Sequence, residues 1–142
     1  MMIYKTEAEI ALMKQAATLV SKTLTEVAKM LQPGITTMQI DSLCERFVRE
    51  HNAVPSFKNY KGYPFSICAS VNEVVVHGFP NNEPLKNGDV VSIDMGVILN
   101  GWHGDHAYTF IIGDVSKEIL DLVRITKESL YKGIEKAIVN NR

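Results

Sequence analysis

Residues 89–112 read DVVSIDMGVILNGWHGDHAYTFII. Two apolar runs flank Asn100-Gly101, the dipeptide that most strongly favours a two-residue type I′ hairpin. With those two residues in the loop, Leu99 faces Trp102, Val97 faces Gly104, Gly96 faces Asp105 and Asp94 faces Ala107. Side chains alternate between the faces of a strand, so Asp94, Gly96 and Asp105 share one face. Asp94 and Asp105 are then diagonal cross-strand neighbours, roughly 7–8 Å apart at the backbone. His103 falls on the same face, and Gly96 is expected to leave the space above it open. The other face collects Val91, Ile93, Met95, Val97, Tyr108, Phe110 and Ile112, a core surface. Alternation sends His106 there too, away from the two acids.

Two carboxylates held this close are costly unless a cation neutralises them or one is protonated. Rigid strand carboxylates are a common way to hold divalent metals, which lower the pKa of bound water and make a nucleophile at neutral pH. The competing reading is structural, since aspartates on strands also bond backbone amides and solvent.

Outward from the hairpin, the remaining elements can be placed. Thr6 and Glu9 form a capping box. Behind it, Ile10, Met13, Ala17, Val20, Leu24, Val27 and Leu31 line one face of a long helix that ends before Pro33-Gly34. Thr36 or Thr37 caps a second helix, with Ile40, Leu43, Cys44, Phe47 and Val48 inward. Residues 51–64 have no period and read as a loop rich in aromatics, Gly and Pro. Short strands are expected at 65–70 and 74–77. After the hairpin, Ser116 caps a last helix carrying Leu120, Val123, Leu130, Ile134 and Ile138 on one face. Helices, a mostly antiparallel sheet and a closing helix make an α+β arrangement, with the sheet covered by helices.

Bulk properties narrow the function. The chain has 142 residues, the size of one domain, with 46% hydrophobic and 22% charged residues, enough to bury a core. A net charge of −1 removes any general case for nucleic acid or anionic membrane as partner. The two cysteines, Cys44 and Cys68, are too few for a disulfide framework and fit a reduced protein. The N-terminus is interrupted early by charge and reads as neither signal peptide nor membrane span, which leaves the cytoplasm as the expected location. Among the histidines, His77 ends an apolar run before a Gly/Pro turn, where both a catalytic and an exposed structural histidine are found. His51 reads as surface.

Three stretches taken together carry a resemblance: NYKGYPFSICASVNEVVVHGFP at 59–80, LKNGDVVSIDMGV at 85–97 and NGWHGDHAYTFIIG at 100–113. With PGITTMQID at 33–41 and RITKESLYKGIEKA at 124–137, the chain resembles the N-terminal half of the type I methionine aminopeptidases over essentially its whole length. HGFP, SIDMG and HGD in this order and spacing are specific to it, and residues 1–142 are expected to form a single unit.

The resemblance implies a pita-bread α+β fold of two pseudo-symmetric halves, of which this is the first. It implies removal of the initiator methionine from nascent chains with two divalent ions (Co, Mn, Fe or Zn). Asp94 matches the chelating aspartate and Asp105 the one that bridges both metals. His77 matches the histidine that bonds the substrate around the scissile peptide and stabilises the transition state. Tyr60, Tyr63, Cys68 and Phe57 match positions lining the pocket for the methionine side chain, where a soft thiol and flat rings suit a thioether. Asn72 and Val74 match a monovalent cation site built from backbone carbonyls. His106 departs from the small hydroxyl residue common in the family. The family's remaining ligands, a histidine and two glutamates, match nothing in residues 1–142, and two aspartates cannot complete two metal sites. The chain alone is therefore expected to be inactive or nearly so, and to work with a second half or by pairing with itself. The alternatives are a non-catalytic pita-bread module that binds peptides or partners, and a creatinase- or prolidase-like enzyme.

Overall fold

The computed structural model describes residues 4–141. Helix α1 spans Glu7–Met30 and α2 spans Thr37–Glu50. Strand β1 is Val54–Pro55, β2 is Ile67–Val71, β3 is Val90–Leu99 and β4 is Trp102–Ile111, with helix α3 following at Lys117–Lys136. Both capping boxes form, Thr6 with Glu9 and Thr36 with Gln39, so two of the orphan N–H groups at each helix start are satisfied locally.

β3 is the axis of the sheet and pairs antiparallel with the other three strands. β4 runs along all of one edge. β2 and β1 follow one another along the other edge, Ile67 to Val71 opposite Met95 to Val91 and Val54-Pro55 opposite Ile98-Val97. The hairpin register is the one derived from Asn100-Gly101, with Leu99 opposite Trp102, Gly96 opposite Asp105 and Asp94 opposite Ala107. Asn100 and Gly101 both have positive φ, as a type I′ turn requires.

α1 covers the apolar face of the hairpin. Its buried stripe is Ala16, Leu19, Val20, Thr23, Leu24 and Val27, set against Val91, Ile93, Met95 and Val97 of β3. The expected face was right from Val20 onward and wrong before it. Ile10, Met13 and Ala17 are exposed, and Ala16 is buried instead. Two substitutable signals caused the slip. Alanine suits either face, and Thr23 looks polar although its hydroxyl bonds the Leu19 carbonyl at 2.9 Å and needs no water. The helix sits unusually close at this point. A Cβ added to Gly104 of β4 would lie 2.5 Å from the Ala16 carbonyl carbon and 2.6 Å from its oxygen.

Two expectations fail. Residues 74–77 are not a strand but an exposed loop, with Val75 85% accessible. Asn72 turns the chain at φ +52 and its side-chain oxygen accepts the Val90 N–H at 3.0 Å, closing the β2 ladder there. The chain meets the outer edge of β2 again only at Gly78, whose carbonyl accepts the Ala69 N–H at 2.8 Å, and residues 74–77 bulge outward before it. The closing helix is capped by Ser116 as expected, but among the described residues α3 buries no side chain, and Ile138 lies beyond it. Leu120, Leu130 and Ile134 all remain exposed, so its apolar stripe is formed but unpacked.

Candidate metal and substrate site

The face of the hairpin opposite α1 carries the acids. Cys68 of β2 pairs with Asp94 of β3, and Gly96 pairs with Asp105 of β4. Direct partners in a ladder lie on one face, so Cys68, Asp94 and Asp105 line the same side. Asp94 is half-buried and Asp105 exposed. Burial pushes the Asp94 carboxyl above the usual carboxylate range, and the charge of Asp105 pushes it further, while His77 pulls it back. The pair therefore favours a bound cation on electrostatic grounds. Among the described residues no three His, Cys, Asp or Glu side chains converge to hold a metal. The donor set suits a divalent metal chemically, two hard oxygens on rigid strands, but supplies only part of a coordination sphere.

Gly96 does not leave open space. A Cβ there would collide with Ser56 Oγ and press to 3.0 Å on Phe57 Cε1, so the glycine admits the chain after β1, and with it Phe57, to the edge of the acid pair. The Ser56 N–H bonds the Gly96 carbonyl at 2.9 Å and extends the β1 pairing.

His77 is held by its loop. Its φ is +59°, a left-handed conformation that costs a non-glycine residue about 1–3 kcal/mol when held in place. The following residue provides the restraint. The Gly78 carbonyl accepts the Ala69 N–H at 2.8 Å and the Gly78 N–H donates to Ser70 Oγ at 3.1 Å. A Cβ at Gly78 would collide with the Ala69 carbonyl. The loop is thus strapped to β2 beside Cys68. Gly78→Ala should cost about 1–3 kcal/mol by overpacking and displace His77. Urea unfolding checks it, and an unchanged midpoint would show that the strap is slack.

The aromatic loop is partly assembled. The Tyr63 hydroxyl donates to the Ile67 carbonyl at 2.9 Å. Its ring meets Phe65 and Phe79 edge-on, at centroid distances of 6.0 and 5.1 Å. Burial, then the Cys68 contact, pushes the Tyr63 hydroxyl far above its ordinary pKa. Burial likewise raises the Cys68 thiol, against the Tyr63 contact. Tyr60 stands apart, 64% exposed with Lys61 Nζ over its ring at 5.4 Å. Asn72 has its side chain committed to Asp89 (3.0 Å) and Val90, so only its main-chain carbonyl is left for a cation, as for Val74. His103 shares the acid face and is exposed. His106 lies on the other face, with Nδ1 3.2 Å from Ser21 Oγ of α1, and His51 is a surface residue whose Nδ1 donates to the Phe47 carbonyl at 2.8 Å.

Asp41, Ser66 and the Phe65–Phe79 contact were not anticipated. Asp41 is a buried carboxylate on α2 that accepts the Ser66 and Ile67 N–H groups at 2.7 and 3.0 Å. The readable signal was its phase, one residue after Ile40 and three before Cys44, which places it on the inward side of α2. Ser66 Oγ is buried without a hydrogen-bond partner among the described residues.

Residues 11–142 match the model of metallopeptidase family M24, and the chain belongs to that family. Within it, the likeness is to the N-terminal half of type I methionine aminopeptidases. The chain is 49% identical over 143 residues to the methionine aminopeptidase of Clostridium acetobutylicum and 51% identical over 142 residues to that of Clostridium perfringens. Each alignment covers 100% of this chain and 57% of the relative, so the chain spans a little over half the length of the relatives it matches. The crystal structure of the methionine aminopeptidase from Rickettsia prowazekii superposes with a TM-score of 0.92 at 43% identity, over 94% of this chain and 54% of that one. The pita-bread α+β architecture is thereby shown. Among the described residues, no helix is long and apolar enough to cross a membrane.

Proposed function

We propose that the protein, acting with donors that complete its metal site, removes the initiator methionine from peptides and nascent chains in the cytoplasm. The carrying observation is the diagonal of Asp94 and Asp105 on one strand face, with Asp94 raised by burial and by its neighbour's charge, next to the strapped His77 loop.

In this reading Asp94 and Asp105 hold two divalent ions, of the Mn, Fe, Co or Zn class that tolerates carboxylate-rich sites. Such ions supply a water-derived nucleophile and polarise the first peptide carbonyl. The other roles belong to side chains. His77, held left-handed by Gly78, donates a hydrogen bond to the carbonyl oxygen as it gains charge. Phe57, Tyr60, Tyr63 and Cys68 enclose the methionine thioether, a soft apolar group that rings and a thiol accommodate. Asn72 and Val74 offer main-chain carbonyls to a monovalent cation that stiffens the loop before His77. Residues 1–142 act as one unit, and the remaining ligands come from a second half or from a second copy of this chain. The apolar stripe of α3 and the outer edge of β4 are the surfaces such a partner would cover.

The test is cleavage of Met-Ala-Ser in Mn²⁺, followed by His77→Ala. Removing one donor to a developing oxyanion costs about 10²–10³-fold in kcat with KM little changed. Cleavage that survives the substitution would sink the assignment of His77, and absence of Mn²⁺-dependent cleavage with the site completed would sink the function.

A further inference from the structure

Asp41 is a carboxylate the mechanism above leaves unused, and it is only 5% exposed. It has no ion-pair partner among the described residues, and the hydrogen bonds that reach it come from backbone N–H groups. Those belong to Ser66 and Ile67, the two residues before Cys68. The Ile67 backbone is gripped twice. Its N–H donates to Asp41 at 3.0 Å and its carbonyl accepts the Tyr63 hydroxyl at 2.9 Å. The next residue, Cys68, pairs directly with Asp94.

Burial pushes the Asp41 carboxyl above its usual range in spite of the two N–H bonds that favour its charge. Folding therefore takes up a proton between the ordinary and the raised value. The charge costs stability above that window, and the cost is relieved as pH falls through it. The geometry is what Asp41 supplies: one carboxylate oxygen holds two consecutive N–H groups at the start of β2.

We propose that Asp41 is a positioning residue for the side-chain pocket: it sets the Ser66–Ile67 backbone, and through it the Tyr63 hydroxyl and the Cys68 thiol, relative to Asp94. The idea rests on reading Tyr63 and Cys68 as the methionine pocket, but its first test needs no turnover.

That test is iodoacetamide alkylation of the folded chain at pH 8 with peptide mapping, which reads Cys68 and Cys44 separately. Cys44 is the internal control. It is fully buried on α2, with its thiol pushed up to about 12 chiefly by burial, and that burial keeps it slow when the smaller contribution of the Asp41 charge is removed. Asp41→Ala should free the 63–68 segment and raise the Cys68 rate about tenfold while Cys44 stays slow. Asp41→Asn keeps an oxygen for both N–H groups and should restore the slow Cys68 rate. Cys44 and Cys68 rising together would mean that Asp41 only holds the fold, and an unchanged Cys68 would remove the link altogether. Should Asp41→Ala fail to fold, Asp41→Ser takes its place, since its hydroxyl is one bond too short to hold both N–H groups, and an unchanged Cys68 rate there overturns the proposal. In the metal-loaded protein with its site complete, Asp41→Ala should raise KM for Met-Ala-Ser several-fold and leave kcat within about twofold, with Asn restoring KM. An equal loss in kcat contradicts the positioning role. If the unsubstituted protein cleaves no methionyl peptide, the function falls and the alkylation result still decides Asp41.

Discussion

Gly104→Val is expected to lower the melting temperature by about 10 °C, and Gly104→Ala by a smaller amount in the same direction. The reason is local. At Gly104 the α1 backbone lies against β4 with no room for a side chain, since an added Cβ would sit 2.5 Å from the Ala16 carbonyl carbon. Backbone cannot rotate away as a flexible side chain can, so the helix must lift. Lifting α1 unpacks Leu19, Val20 and Thr23 from β3 and separates the two layers that form the core. Overpacking of this kind costs about 1–3 kcal/mol for a methyl and more for a branched side chain. In a chain of this length each kcal/mol moves Tm by about 3 °C. Thermal unfolding followed by circular dichroism measures it, and a valine variant melting within about 2 °C of the parent would mean that α1 and β4 are not in contact there. Gly104 also precedes Asp105, so the same lift should disturb the acid pair.

With the metal site completed, Asp105→Asn should abolish the turnover proposed for the protein while leaving the melting temperature of residues 1–142 nearly unchanged. Asp105 is exposed at the middle of β4, and asparagine fills the same space, so the fold has no reason to respond. The chemistry does. Removing the charge leaves Asp94 as the one carboxylate of the pair, and a neutral amide could not fill the bridging role proposed for Asp105. A partner behind a metal ligand is worth about 10–100-fold, so loss of a ligand should exceed that. The check is kcat for Met-Ala-Ser in saturating Mn²⁺ with the site completed, beside a melting curve of the same sample. Turnover within a few-fold of the parent would refute the bridging assignment.

These two substitutions sit on neighbouring residues yet fail for different reasons, and that contrast shows what the sequence made legible. The hairpin could be derived because an Asn-Gly turn and a period of two together leave one register, and every face assignment in it follows. The phase of α1 could not be read over its first half, because alanine and threonine carry little information about which side they face. The valines at 74–76 imitate a strand, since strand propensity reflects fit to a pleated surface and does not reveal whether a free edge exists to pair with. Gly96 reads as empty space in the sequence because a glycine's neighbours come from remote sequence, here Ser56 and Phe57. Asp41 left only its helical phase as a trace. The acid pair came from geometry, whereas the roles of His77, the pocket residues and the cation carbonyls came from resemblance, and local pattern alone did not separate a catalytic His77 from an exposed one.

The central claim is that Asp94 and Asp105 together form a cation half-site on the hairpin. It is tested most directly by titrating the chain with Mn²⁺, followed by water-proton relaxation, in the parent and in the Asp94→Asn, Asp105→Asn double variant. The predicted result is carboxylate-dependent binding in the parent that disappears in the double variant, with the melting temperature of the metal-free chain preserved. Equal Mn²⁺ binding in the two proteins would contradict it and would place any metal elsewhere on the molecule.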